Sequence, residues 1–178
     1  MNNIIFETSR LNIIEATDNE LEIIIELESH KDNRDFLWIG TREEHLDEIE
    51  DKNHLLLVFR NKENDKIVGY ALIRLNFKSE IFELRRIAIS DKGIGYGKEV
   101  MIGLVQYAFE KQNTNRFWLD VYPDNIIGIK LYESLGMHKD GVLRQNYKSK
   151  RGYLDQIIYS LLRSEYPAFA ADHMREHF

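Results

Sequence analysis

Cysteine is absent from these 178 residues, which removes disulfides, thiolate metal sites and a cysteine nucleophile, and suits a reducing compartment such as the cytoplasm. Proline occurs only twice, at Pro123 and Pro167, and no Pro/Gly/Ser-rich stretch, repeat or low-complexity tract divides the chain, so one domain over 1–178 is expected. No apolar run approaches the ~18 residues of a membrane span, and "MNNIIFETSR" lacks a basic region followed by an apolar core; neither membrane insertion nor export is expected. Basic excess is missing too. The net charge of −6 makes phosphate backbones and anionic lipid poor partners and favours a cationic one. Chemistry must therefore come from carboxylates, histidines, hydroxyls and the main chain.

What is present is a regular alternation of patterns. "RLNIIEA" (10–16) reads as a first strand, and Leu21, Ile24, Ile25 and Glu28 step at helical spacing behind Asp18. Thr41 and Glu44 form a capping box for a second, acidic helix. Residues 54–61, 66–77 and 81–90 are rich in β-branched and aromatic side chains and are separated by "KENDK" and "KSE", the signature of an antiparallel meander. An amphipathic helix ("KEVMIGLVQYAFEKQ"), a strand ("RFWLDVY"), a helix closed by Gly136 and a long final hairpin complete the order β α α β β β α β α β β. This is an α/β (α+β) pattern in which a strand, glycine turn, helix and next strand imply one parallel crossover in a mixed, mostly antiparallel sheet of six to seven strands with about four helices.

The turn of that crossover, "ISDKGIGYGKEV", places glycines at 93, 95 and 97 ahead of a helix. Glycine tolerates positive φ and lets backbone N–H groups approach a ligand, and a helix start adds unpaired donors and a positive dipole end, which together suit an anion. The spacing G-x-G-x-G is not the dinucleotide fingerprint, and Glu99 after Lys98 breaks the P-loop ending. A plain strand-to-helix turn is the alternative.

The stretch does not stand alone. "LRRIAISDKGIGYGKEVM" followed by "RFWLDVYPDNIIGIKLYESLGMHKDGVLR" resembles the two core motifs of the GNAT superfamily of N-acetyltransferases. The first matches its [Q/R]-x-x-G-x-[G/A] loop at Lys92, Gly93, Ile94, Gly95, Tyr96 and Gly97; the second matches N-x-x-A-x-x-L-Y-x-x-x-G-F. The opening "ETSRLNIIEAT" resembles the branch of ribosomal-protein N-terminal and spermidine acetyltransferases. Lys92 stands where Gln or Arg is usual, keeping a cation but losing a planar fork of donors, and Gly128 and Met137 replace the usual Ala and Phe.

The resemblance implies acetyl-CoA as cosubstrate and a primary amine as acceptor, joined by direct attack in a ternary complex; no metal is expected, and the acidic charge already argues against a nucleic-acid or membrane partner. It implies that residues 92–97 and Lys98 cradle the pyrophosphate, that the main chain of Ile87, Ala88 and Ile89 pairs with the pantetheine amides, and that a main-chain N–H there polarises the thioester carbonyl. Asn125 meets the pantetheine arm or caps its helix. An ammonium of pKa near ~10.4 must lose a proton before attack, and Glu83 or Asp120 is the implied base, Glu83 preferred. Tyr132, the Tyr of the L-Y pattern, is the implied acid for the departing thiolate. The bland alternatives are an outward strand carboxylate for each acid and a core aromatic for Tyr132, since Ile129, Tyr132 and Leu135 share a helical face.

Other features carry less. His173 and His177 lack a third ligand for zinc, and "KSKR" (148–151) reads as a charged hairpin tip. The resemblance implies that the region 18–51 lines the acceptor side; its many carboxylates with "DFLW" (35–38) would suit a cationic amine such as a polyamine, an aminoglycoside or a peptide N-terminus, or form a solvated face. The final hairpin and "SEYPAFAADHMREHF" offer apolar groups to a homodimer. A second function class remains, an acyl-CoA-binding sensor without turnover.

Overall fold

A computed structural model describes residues 3–174. Its strands are β1 (Ile4–Glu7), β2 (Leu11–Glu15), β3 (His54–Asn61), β4 (Ile67–Asn76), β5 (Ile81–Ile89), β6 (Arg116–Val121), β7 (His138–Ser149) and β8 (Gly152–Leu162). They form one sheet in the order β1-β2-β3-β4-β5-β6-β8-β7. The helices are α1 (Leu21–Ser29), α2 (Arg42–Glu50), α3 (Tyr96–Lys111), α4 (Ile126–Ser134) and α5 (Tyr166–His173). Among the described residues no helix is long and apolar enough to cross a membrane.

The observed order departs from the expected one at both ends. The eighth strand is β1, which pairs antiparallel with β2 across a turn closed by Thr8 N–H donating to the Leu11 carbonyl. It is held from outside its own sequence: Phe6 lies where a Cβ on Gly103 of α3 would come within 2.5 Å of its ring, so the helix is bare at the point where the strand packs. The fifth helix, α5, begins with Pro167 in its first turn, where the missing N–H costs nothing, and buries Phe169.

Two apolar layers flank the sheet. Alternation along the strands sends Leu57, Phe59, Ala71, Phe82, Leu84 and Phe117 toward α3 and α4, and Leu56, Val58, Tyr70 and Leu72 toward α1 and α2. The caps are local: Thr41 N–H donates to Glu44 Oε2 at 2.8 Å and Glu44 N–H to Thr41 Oγ1 at 3.2 Å, the expected box, while Thr17 rather than Asp18 plays the same part before α1, with Glu20.

Two irregularities open the sheet at its centre. Leu72 faces Arg86 but Ile73 faces Leu84, so Arg85 is an extra residue in β5, a bulge that turns Arg86 and Ala88 onto the α1/α2 side. Beside it, the parallel pairing of β5 with β6 ends at Leu84 and Leu119. Beyond that point the strands diverge, and the edge of β5 from Arg85 to Ile89 that faces away from β4 has no strand partner.

Candidate active site

The gap between β5 and β6 opens into a cavity of about 1450 Å³. Glu83, Asp120, Tyr132, Ile87, Ala88, Ile89, Lys92, Gly93, Gly95, Tyr96, Gly97, Lys98 and Asn125 all line it. Ile94 does not; its side chain is half exposed and its carbonyl turns to the Arg10 guanidinium at 2.9 Å.

At one end stands the glycine turn. Gly93 and Gly95 adopt φ of 83° and 88°, a left-handed conformation that L side chains rarely take, and Gly95 caps α3 with no side chain bonded to the first turn. The N–H groups of Tyr96, Gly97 and Lys98 therefore have no intrahelical acceptor, which makes this helix start a donor cluster. The turn is braced from beneath. Arg10 lies 4.5 Å over the Tyr96 ring, donates to the Ile94 carbonyl and pairs through Nε with Glu99 at 2.7 Å. Glu99 also accepts from the hydroxyls of Thr8 and Ser9 and the Arg10 N–H, and these contacts hold its carboxyl below the usual range against the opposing push of burial. Its negative charge is thus bound away from the donors. Lys92 Nζ donates to the Asp32 carbonyl at 2.9 Å, tying the turn to the α1–α2 loop, and burial lowers its pKa.

At the other end three proton-bearing groups converge. Burial raises the Glu83 carboxyl above its ordinary range, with Arg85 and Arg74 opposing and Asp120 adding to the rise. Burial likewise raises Asp120, which accepts from Gln156 Nε2 at 2.8 Å. Tyr132 packs in the core layer beneath and also lines the cavity. Burial first, then the Asp120 charge, raises its phenol well above the ordinary value, and its hydroxyl has no hydrogen-bond partner among the described residues. Asn125 caps α4 by accepting from the Gly128 N–H at 3.0 Å while lining the cavity. A Cβ at Gly128 would lie 2.9 Å from Asn125 Nδ2, which accounts for glycine there.

The wall made by α1 and α2 is less acidic than its sequence suggests. Glu48 and Asp32 reach the cavity, as do Phe36 and Trp38. Glu48 belongs to a buried cluster: Glu28 accepts from His45 Nε2 and the Tyr70 hydroxyl at 2.7 Å each and from Arg86 at 3.3 Å, while Glu48 binds His45 Nδ1 at 2.8 Å and the Arg86 guanidinium. Arg86 lies 4.4 Å over Trp38. Burial is the largest influence on His45 and works downward, yet the hydrogen bonds and charges of Glu28 and Glu48 outweigh it and lift its pKa to about 9.

Sequence reasoning did not find this cluster, nor Arg10 with Glu99, nor Arg151. The "KSKR" tip is a hairpin end between β7 and β8, and Arg151 reaches back to the Asp124 carboxylate and, at 2.6 Å, to the Asp35 carbonyl. Apart from His45 and Glu48, three residues apart on α2, each of these partners lies far away in the chain, so no local spacing announces it. His173 packs on Phe169 with centroids 4.8 Å apart and the rings tilted by 47°, and His177, the other histidine weighed for zinc, lies outside the described residues. No group of acidic or histidine side chains among the described residues could hold a metal ion.

Comparisons with known proteins agree with this geometry. Residues 16–137 match the model of the acetyltransferase (GNAT) family. An uncharacterized N-acetyltransferase, p20, of Bacillus licheniformis is 34% identical over 110 residues, covering 59% of this chain and 60% of the relative. The spermine/spermidine N(1)-acetyltransferase of Bacillus subtilis is 26% identical over 76% of this chain and 93% of its own, and the ribosomal protein bS18-alanine N-acetyltransferase of Escherichia coli (strain K12) 29% over 59% and 70%. The alignments with the first curated relatives span between 42% and 62% of those proteins. A solved chimera of the Vibrio cholerae spermidine N-acetyltransferase superposes over 89% of this chain and 99% of its own with a TM-score of 0.79 at 20% identity, a likeness of fold. A donor-rich glycine turn, a splayed central sheet and a family match over most of the chain meet in one place: the protein belongs to the GNAT acetyltransferase family.

Proposed function

We propose that the protein is an acyl-CoA-dependent N-acetyltransferase that moves an acetyl group from acetyl-CoA to a primary amine by direct attack in a ternary complex. The observation that carries this is the continuity of one cavity. It runs from the uncapped start of α3, along the unpaired edge of β5, to Glu83, Asp120 and Tyr132.

The residues fit the cosubstrate. Two left-handed glycines and three free N–H groups suit a pyrophosphate, with Lys92 and Lys98 adding positive charge. The strand edge at Ile87, Ala88 and Ile89 suits amides that bond like an added strand, and a main-chain N–H there can bear on a carbonyl oxygen as charge gathers on it. Acetyl-CoA supplies an activated acyl group on a sulfur leaving group. As the amine nitrogen forms the new C–N bond and the C–S bond breaks, Glu83 takes the proton from nitrogen and Tyr132 gives one to sulfur.

Glu83 is favoured as base because it has no hydrogen-bond partner among the described residues, whereas Asp120 is held by Gln156. Its raised pKa brings it closer to neutrality, where a general base works best. Tyr132 has a free hydroxyl and a raised pKa, so it stays protonated until it is needed.

Calorimetric titration with acetyl-CoA, followed by thiol release against polyamines, aminoglycosides, amino acids and short peptides, tests the reading. Binding with release on an amine supports it. Binding with no release on any amine favours a sensor, and no binding overturns the cradle itself.

A further inference from the structure

The acceptor end of the cavity has an unusual charge balance for a pocket meant for a cationic amine. Glu83 lies on the α1/α2 face in a row across the sheet, directly opposite Arg74 of β4, which in turn faces His54 of β3. The bulge at Arg85 points a second guanidinium into the cavity beside Glu83 and Asp120. Neither the Arg74 nor the Arg85 guanidinium makes a hydrogen bond or ion pair among the described residues. The next residue, Arg86, is the opposite case, bound by Glu28 and Glu48 under the wall. Those contacts in turn neutralise Glu48, the helix carboxylate that reaches this end. The groups at this end without an ion pair among the described residues are therefore two carboxylates suited to one ammonium, Glu83 and Asp120, the latter bonded only to the neutral Gln156 amide, and the Arg85 guanidinium that lines the cavity beside them.

Resting on the acetyltransferase reading, we infer that the acceptor is an amino-acid-like primary amine carrying a carboxylate, with its nitrogen at Glu83 and Asp120 and its carboxylate on Arg85. Bulges next to active sites re-aim side chains, and here the extra residue is the one that turns a cation toward the acceptor. A guanidinium offers a planar fork that matches a carboxylate in two parallel hydrogen bonds. A single negative charge suits the spot better than a phosphate, because Glu83 and Asp120 stand close by. A polyamine would instead set its second ammonium against Arg85.

The test uses two CoA derivatives whose sulfur carries a CH2–CO–NH group ending in either a propionate or a propylammonium, with free CoA as control. Calorimetry on the wild type should show the carboxylate form binding at least about tenfold tighter than the ammonium form, the scale of one charge-assisted contact. Arg85→Ala should bring the two within about twofold, and Arg85→Lys should fall between, because a point charge replaces the fork. Free CoA should bind both variants like the wild type, which also shows that they are folded. An ammonium form that binds as well or better in the wild type, or a ratio unchanged by Arg85→Ala, overturns the inference. Failure of free CoA to bind the wild type defeats the acetyltransferase reading, a distinct result.

Discussion

The cluster of Glu28, His45, Glu48 and Arg86 makes stability depend on pH between about 6.5 and 9. His45 is 0% exposed, and its two carboxylate partners carry it from the ordinary 6.5 to about 9 in spite of burial. At about 1.36 kcal/mol for each factor of ten, that displacement amounts to roughly 3 kcal/mol. Because the folded value lies above the unfolded one, the contribution is whole below 6.5, shrinks as pH rises, and is gone once pH has passed through about 9. Tyr70, the other titratable group on Glu28, is raised well above its ordinary value by burial and then by that carboxylate, so it does not titrate in this range. Urea unfolding of the wild type and of His45→Gln at pH 6, 8 and 10 reads the effect as a difference, which cancels the exposed lysines and tyrosines. The gap between the two proteins should narrow by roughly 3 kcal/mol from pH 6 to pH 10. A gap that stays constant would mean that His45 is neutral in the folded protein and that the cluster is held together otherwise.

Three further outcomes follow from the site. Tyr132→Phe should lower turnover by about a hundredfold or more while acetyl-CoA affinity, read by calorimetry, stays as it was; unchanged turnover removes Tyr132 as the acid. Gly95→Val must hold a β-branched residue at φ 88° with its Cβ 3.4 Å from Arg10 Nη2, a strain of about 1–2 kcal/mol, and should weaken acetyl-CoA binding by about tenfold; an unaltered affinity would undo the cradle. Arg151→Ala removes the ties to Asp124 and the Asp35 carbonyl, so amide exchange of the hairpin between Tyr147 and Leu154 should quicken by about fivefold, and no change would show that the Tyr122–Tyr147 stack alone holds it.

The elements that sequence reading located are those whose signal is local. The glycine turn, the Thr41 box, the Gly136 stop and the three-strand meander each rest on residues within a few positions of one another. β1 escaped because four residues, Ile4–Glu7, are too short to show alternation, and what fixes them is the gap over Gly103. At the site, the turn, the β5 edge and the L-Y helix were legible as motifs, and Glu83, Asp120 and Tyr132 as positions on them. Arg85 was not, because a bulge is visible only in the register of two strands. The His45 cluster joins α1, α2, β4 and β5, and its carboxylates look in sequence like any solvated acidic face.

The divergence of β5 from β6 leaves the sheet as two halves. Strands β1 to β5 form one and β6, β8 and β7 the other, and along the seam only four residue pairs, from Ile81–Arg116 to Leu84–Leu119, join them. An occupant of that seam that bonds to the exposed edge of β5 is a structural member as well as a guest. Hydrogen bonds from such an occupant would add ties that the sheet lacks along this seam, so binding would raise the free energy needed to separate the halves.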